Sequence, residues 1–405
     1  MSFEALSHLL LPADGRPSLV LETDLRWSLD GTLAAARPDV IVWGRGPAPS
    51  GTAIRLLAQM AVARERALLM LRLRPPQPYR VRGVHRWPPP RLVDGPVRNR
   101  IREALLGGVI VELSSGPTPP RLLDDAARAA GYAGRVREFG AGSGGSALAR
   151  LRAEGEHRIL RVAQAGQPAD PAHAAMALER LAPLRIPVVP RLLGRGRAMS
   201  ASWTLETELP GRRPPRVTPG IARQVAAICR QLPRASAGPT ALHQDLDRIA
   251  AAIPDRRRQL LDLEATVSGR LARLPLAMRH GDLWAGNLLV SGDRLTGIVD
   301  WDSWHAAAAP GIDLLHLLAA DTALRTKREI GEVWLDRPWR SPGFAAMAAD
   351  YWGAMVESPT ATELDAVGVA WWAAEIGHAL ELAPEQAQDR RWVGLNVERV
   401  LESLA

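Results

Sequence analysis

The sequence predicts an α+β protein: a small layered α/β domain over residues 1–134, then a two-lobed domain. The first lobe, 135–210, is a small antiparallel sheet, and the second, 211–405, is mainly helical. Three observations predict this. Short apolar runs alternate with helically spaced segments through the first part. At residue 135 the texture changes to strands joined by tight turns, followed by one helix. Beyond Gly211 the apolar spacing is helical, interrupted by one polar segment set between apolar strands.

In the first domain, Val40, Ile41, Val42 and Trp43 form a run suited to a buried strand. Ile54, Leu57, Ala61 and Val62 recur at helical spacing and predict a helix over 52–65. Residues 67–73 return to a strand pattern, and 109–113 follow Gly107 and Gly108 as another strand. Residues 122–130 predict a helix that stops at Gly131. Proline clusters at 75–78 and 88–90 cannot sit inside a sheet, because proline donates no ladder hydrogen bond; they mark loops. The segment 131–134 is the boundary. In the next lobe 136–139, 147–152 and 157–162 are strands, separated by a glycine-rich turn at 140–146 and a polar turn at 154–156. A helix is predicted over 171–184.

An apolar content of 47% is enough for a full core rather than a disordered chain. The single cysteine, Cys229, excludes an internal disulfide framework and a thiolate zinc cluster, and fits a reducing compartment. The start, 1–13, has no basic leader before a long hydrophobic run, and no stretch approaches the roughly 18 apolar residues of a membrane span. A soluble, cytoplasmic protein without a membrane span is expected. Formal charge is +8, carried almost wholly by arginine, with Lys327 the single lysine. That balance favours anionic ligands such as nucleotides. No basic stripe with interleaved aromatics marks a nucleic-acid face, so no nucleic-acid partner is expected.

The strongest chemical signal is His280-Gly281-Asp282, with Asn287 five positions after Asp282 and Asp300 thirteen further on. Phosphoryl transfer needs a group that orients the attacking hydroxyl and accepts its proton, plus oxygen ligands that hold Mg²⁺ against the phosphates. An Asp and an Asn separated by four residues can supply both from one loop, Asp282 toward the acceptor and Asn287 toward the metal. Asp300 closes the apolar strand predicted over 295–299, where a second carboxylate ligand is well placed. Gly140, Gly142, Ser143 and Gly144 form a turn whose free N–H groups suit phosphate. No Gly-Lys-Ser/Thr follows, so it is not a Walker loop.

The stretch from His280 through Leu283, Trp284, Ala285, Gly286 and Asn287 to Val290, with Gly297-Ile298-Val299-Asp300-Trp301-Asp302, resembles the aminoglycoside-phosphotransferase and choline-kinase-like family. In that family the second block is followed by Gly-Asp-Pro and an Asp-Leu-Ala-like segment. Here Pro310-Gly311-Ile312-Asp313-Leu314-Leu315 keeps the downstream Asp as Asp313 and loses the Gly-Asp-Pro. The resemblance spans roughly residues 135–400. It implies a protein-kinase-like fold, ATP (or GTP) and Mg²⁺ as cofactors, and a small-molecule or saccharide hydroxyl as acceptor. It implies Asp282 as the catalytic residue and Asn287 and Asp300 as metal ligands. The third-strand phosphate cation, lysine in the family, is here Arg161, and Glu179 matches the helix-borne Glu that pairs with it. Residues 203–211, with Glu206 and Glu208, match the hinge whose backbone binds the adenine edge. His280 is expected to be scaffold rather than a proton carrier.

Acceptor recognition is expected from the C-terminal helices and from Asp302, Trp304 and His305. Trp371, Glu375 and His378 share a helix face; the bland reading makes Trp371 and Trp372 core and Glu375 solvated. The basic balance does not favour an aminoglycoside acceptor. Arg161 and the lost Gly-Asp-Pro keep a second reading open, a catalytically impaired pseudokinase acting as a nucleotide sensor or scaffold. The first domain lacks an early glycine-rich cofactor loop. Its strand and helix order loosely resembles the later half of a class I methyltransferase; without that loop, a degenerate α/β domain that aids acceptor binding or dimerisation is expected rather than a working methyltransferase, with a homodimer as the partner so implied.

Overall fold

In a computed structural model of the chain, the described residues are Leu10, 18–22, 40–44, 80–87, 108–114 and 121–404 apart from 135, 137, 142–145, 154, 165–169, 199–200, 236–240 and 356–358. The chain divides into two compact units, residues 1–175 with 191–208 and residues 176–190 with 209–405. The helix predicted over 52–65, the strand over 67–73 and both proline clusters lie outside the described residues.

The first unit holds two sheets. Strands β1 (Ser18–Glu22), β2 (Val40–Gly44), β3 (Arg80–Trp87) and β4 (Gly108–Ser114) have the order β1-β2-β4-β3. β1 and β2 run parallel and the other pairs antiparallel. β2 and β4 are the strands expected from their apolar runs. β3 carries three arginines and a histidine in eight residues, and that polarity hid it from pattern reading. Helix α1 (Leu122–Ala129) ends at Gly131, whose φ of +87° is the left-handed closure expected there.

The second sheet is antiparallel, of order β5-β6-β7-β9-β8: β5 (Glu138–Ala141), β6 (Ala147–Ala153), β7 (Glu156–Gln164), β8 (Leu192–Ala198) and β9 (Ala201–Thr207). The predicted strands 147–152 and 157–162 are β6 and β7, and the predicted helix is α2 (Pro171–Leu181) with a 3₁₀ turn after it. One core joins α1 to this sheet: Leu122, Leu123, Ala126 and Ala127 pack with Phe139, Leu151, Leu160, Trp203 and Leu205. At the start of α1, Arg121 is 2% exposed and ties this region to β4. Its guanidinium meets Asp124 at 2.7 Å, Glu112 at 3.5 Å and the carbonyl of Val136 at 2.6 Å. Breaking a buried pair by removing one partner leaves an uncompensated charge. Arg121→Met, which strands two carboxylates, is expected to cost about 3–5 kcal/mol, read as a fall in the urea midpoint.

The second unit is mainly helical, as expected. α3 (Pro219–Cys229) starts at Thr218, whose hydroxyl accepts the Ile221 N–H. α4 (Ala241–Ala252) and α5 (Arg257–Leu271) precede a strand cluster. There β10 (Arg234–Ala235), β11 (Leu276–Arg279) and β14 (His305–Ala308) pair antiparallel, and β12 (Leu288–Ser291) and β13 (Arg294–Ile298) form a hairpin. Then come α6 (Ile312–Thr326), α7 (Ile330–Leu335), α8 (Pro342–Met355) and the long α9 (Ala361–Leu382). Trp371 and Trp372 on α9 are fully buried, and the Trp372 indole donates to the Asn396 carbonyl at 2.7 Å. Both are core residues, as the bland reading had them. Gly377 on α9 faces the backbone of Asp245, so α9 and α4 approach closely where a side chain would crowd them. Among the described residues no helix is long and apolar enough to cross a membrane.

Candidate active site

The loop 280–287 leaves β11 and is stitched to the turn after β13 by backbone contacts. Gly281 has φ +86°, and a Cβ there would lie 1.8 Å from the Ser303 carbonyl oxygen. Only glycine permits both the dihedral and the approach. The Asp313 carboxylate, on the first turn of α6, accepts the N–H groups of His280 at 2.7 Å and Gly281 at 3.1 Å. His280 Nε2 is 3.0 Å from the Val299 carbonyl, which can only accept, so Nε2 carries the proton. Nδ1 accepts the Asp282 N–H at 3.3 Å. With its ring 4.5 Å from Trp301, His280 is a buried strut with both nitrogens engaged, the scaffold role expected of it.

Asp282 and Asn287 meet directly. The Asn287 amide nitrogen donates to the Asp282 carbonyl and to its Oδ2, both at 2.8 Å. This assignment turns the amide oxygen of Asn287 to other uses. The Val299 N–H donates to the Asn287 carbonyl at 2.9 Å, which sets Asp300 beside Asn287. Asp300 itself has φ +72°, a strained conformation for a non-glycine residue that costs roughly 1–3 kcal/mol and is concentrated at functional sites. The Asn287 amide oxygen and the Asp300 carboxylate are both hard oxygen donors, the type that fits Mg²⁺, which takes one or two protein oxygens and completes its shell with water and phosphate. Among the described residues no group of three or more His, Cys, Asp or Glu is arranged to hold a metal.

Asp282 also faces α6 and α9. Its Oδ1 lies 3.7 Å from His316 Nε2, and His316 Nδ1 lies 2.9 Å from Glu375 Oε1. Burial would raise the Asp282 pKa, but the adjoining His316 more than offsets this and brings it down to about 2. Burial would likewise lower the His316 pKa, but Glu375 and Asp282 hold it up at about 10. At neutral pH Asp282 is therefore ionised and His316 protonated, with Glu375 on the other side of the imidazole. Glu375, expected to be solvated, is instead mostly buried against His316, because α6 and α9 pack face to face there. His316 was not among the expected residues. The available signal was its position three residues after Asp313, on the same face of a helix.

In the first unit, strand pairing sets Arg161 opposite Thr204 and diagonal to Glu206. The Arg161 guanidinium is buried, with Nε 4.0 Å from Glu206 Oε1, and the Thr204 hydroxyl donates to the same oxygen at 3.1 Å. Glu208 pairs with Arg150, whose Nε donates to it at 3.1 Å. Glu206 and Glu208 thus hold arginines with their side chains. Glu179 lies on the exposed side of α2. Gly140 is in β5; Gly142, Ser143 and Gly144 lie outside the described residues. In the second unit, Trp304 is buried and Asp302 and His305 are partly exposed.

Residues 135–356, more than half of the chain, match the model of the phosphotransferase enzyme family (APH). A search of the curated proteins found no match. Among solved structures, aminoglycoside-3'-phosphotransferase of type VIII is similar at 24% identity and a TM-score of 0.43, over 63% of this chain and 98% of that one. The Streptomyces rimosus aminoglycoside phosphotransferase APH(3'')-Id, solved with ADP and streptomycin, is similar at 19% identity and 0.40, over 57% and 93%. A thermostable mutant of APH(4)-Ia in its apo form is similar at 17% identity and 0.40, over 69% and 98%.

Proposed function

Since the chain belongs to the phosphotransferase enzyme family, we propose that it transfers the γ-phosphate of ATP or GTP to a hydroxyl of a small-molecule or saccharide acceptor, with Mg²⁺. The observation that carries this reading is the Asp282–Asn287 pair, a carboxylate ionised at neutral pH and hydrogen-bonded to an amide, with the strand end that bears Asp300 tied to the Asn287 backbone through Val299. In this reading Asp282 is the catalytic residue. With a pKa of about 2 it is a weak base, so it orients the acceptor hydroxyl by accepting its hydrogen bond and takes the proton late, once the oxygen has begun to bond to phosphorus. A loose transition state asks no more of it. Asn287 Oδ1 and the Asp300 carboxylate would hold Mg²⁺, which when bound neutralises charge on the phosphates.

The phosphates are assigned to Arg161 and to the backbone of residues 140–146, and the adenine edge to the backbone around Glu206 and Glu208. Glu206, already beside the guanidinium, supports Arg161 in the phosphate role, with Glu179 its family-implied partner. A hydrogen bond to a charged group contributes about 1.5–3 kcal/mol, so Arg161→Met is expected to raise the KM for ATP about tenfold to a hundredfold, with Arg161→Lys much closer to the native chain. An ATP titration of initial rates checks this.

The test of the reading is ADP release from Mg-ATP by the native chain across a broad acceptor panel. Acceptor-dependent release is expected, and its absence would favour the sensor or scaffold reading. A thermal shift with ATP and Mg²⁺ is expected as well; no shift with any nucleotide would sink the nucleotide site.

A further inference from the structure

His316 has no part in the reaction as proposed, yet it is the best-buried charged group in contact with Asp282. It is 7% exposed, on α6, between Asp282 of the catalytic loop and Glu375 of α9. The indole nitrogen of Trp371 lies 3.5 Å from Nδ1, but that nitrogen cannot accept from the indole while donating to Glu375 at 2.9 Å. The shorter, charge-assisted contact sets the protonation. Nε2 has no hydrogen bond within 3.5 Å among the described residues, and Asp282 Oδ1 faces it at 3.7 Å. A buried donor left unsatisfied is costly, and catalytic hydrogen bonds often tighten only when the ligand is present. The other oxygen of the same carboxylate is held by Asn287.

We propose that His316 is a positioning residue: clamped by Glu375, it grips Oδ1 of Asp282 while Asn287 grips Oδ2, so that the plane of the carboxylate is set before the acceptor arrives. This rests on the phosphotransferase reading of Asp282. The charge balance explains why a cation is needed. Asp282 and Glu375 approach the imidazole from two sides, and a cation between them offsets the repulsion of two acidic groups. Among the described residues, the charged groups facing the imidazole are those two. His378, one turn beyond Glu375, pairs at 3.8 Å with Glu381, and His280 stands on the far side of Asp282. Because the His316 pKa is raised to about 10, the clamp is complete below its ordinary 6.5 and is lost as pH rises through about 10.

The test uses the full chain in native, His316→Phe and Glu375→Gln forms, with crystal structures and ADP release from Mg-ATP in the presence of the best panel acceptor. In His316→Phe the Asp282 carboxylate is expected to turn away from its native plane, and kcat to fall about 10²-fold, with the KM for ATP within about twofold. In Glu375→Gln, which keeps the shape and the histidine, the alkaline limb of kcat is expected to move down by about one pH unit or more. Where His316→Phe fails to fold, Glu375→Gln decides. An Asp282 carboxylate unmoved in the variant crystals, or a kcat and alkaline limb unchanged in Glu375→Gln, overturns the proposal. A native chain that releases no ADP overturns the phosphotransferase reading instead, and the crystal comparison still decides the positioning.

Discussion

Asp282→Ala is expected to lower kcat for phosphoryl transfer by about 10²- to 10⁴-fold, the range that a positioned acid–base group contributes. The KM for ATP should stay within a few-fold, because in the proposed reaction Asp282 touches the acceptor hydroxyl rather than the nucleotide. The variant should fold, since the Asp282 side chain is about a third exposed. Its removal leaves the Asn287 amide bonded to the carbonyl of residue 282 and His316 still paired to Glu375. Single-turnover ADP release at saturating Mg-ATP, with circular dichroism as the folding control, checks the expectation. A kcat within tenfold of the native value would remove Asp282 from the chemistry. Equal losses in kcat and in nucleotide affinity would place it on the nucleotide rather than the acceptor.

Gly281→Ala is expected to be the most damaging single methyl group in the second unit. Two independent effects add at this position. The dihedral of φ +86° is unfavourable for any residue with a Cβ, and the added carbon would meet the Ser303 carbonyl at 1.8 Å. Neither atom of that clash is the end of a flexible side chain, so the loop 280–287 or the turn after Asp300 has to move. That shift breaks the contacts of Asp313 with the His280 and Gly281 N–H groups, and with them the join between Asn287 and Asp300. A loss of roughly 3–5 kcal/mol of unfolding free energy, read from the urea midpoint, and a kcat below detection are expected. A stable Gly281→Ala chain with normal turnover would mean that the two loops do not need this approach.

The family was legible because its motif depends on short-range order. His280, Asp282, Asn287 and Asp300 lie within one loop and one hairpin, so spacing along the chain translates directly into nearness, and the resemblance seen there agrees with the family match. The strands β6 and β7 and the helices α1 and α2 were legible for the same reason, their apolar periods being intact over single elements. β3 was not, because arginines and a histidine interrupt its period. Its neighbour β4 is apolar and was seen.

Sequence alone could name Asp282 but not the state in which it is held. His316 is distant along the chain and Glu375 more distant still; His316 reaches Asp282, and Glu375 reaches His316, only because α6 and α9 pack against each other with the loop 280–287 beside them. A histidine or glutamate on a helix looks solvated until its neighbours are known, since burial and facing charge belong to the assembled fold and to no single segment. The same holds for Arg161, whose side chain sequence could only align. It took the pairing of β7 with β9 to put Glu206 beside it. The loop's local spacing was enough to point to the family. The packing of helices and strands decided the charge, orientation and support of its side chains, because those are set by contacts between residues far apart in sequence.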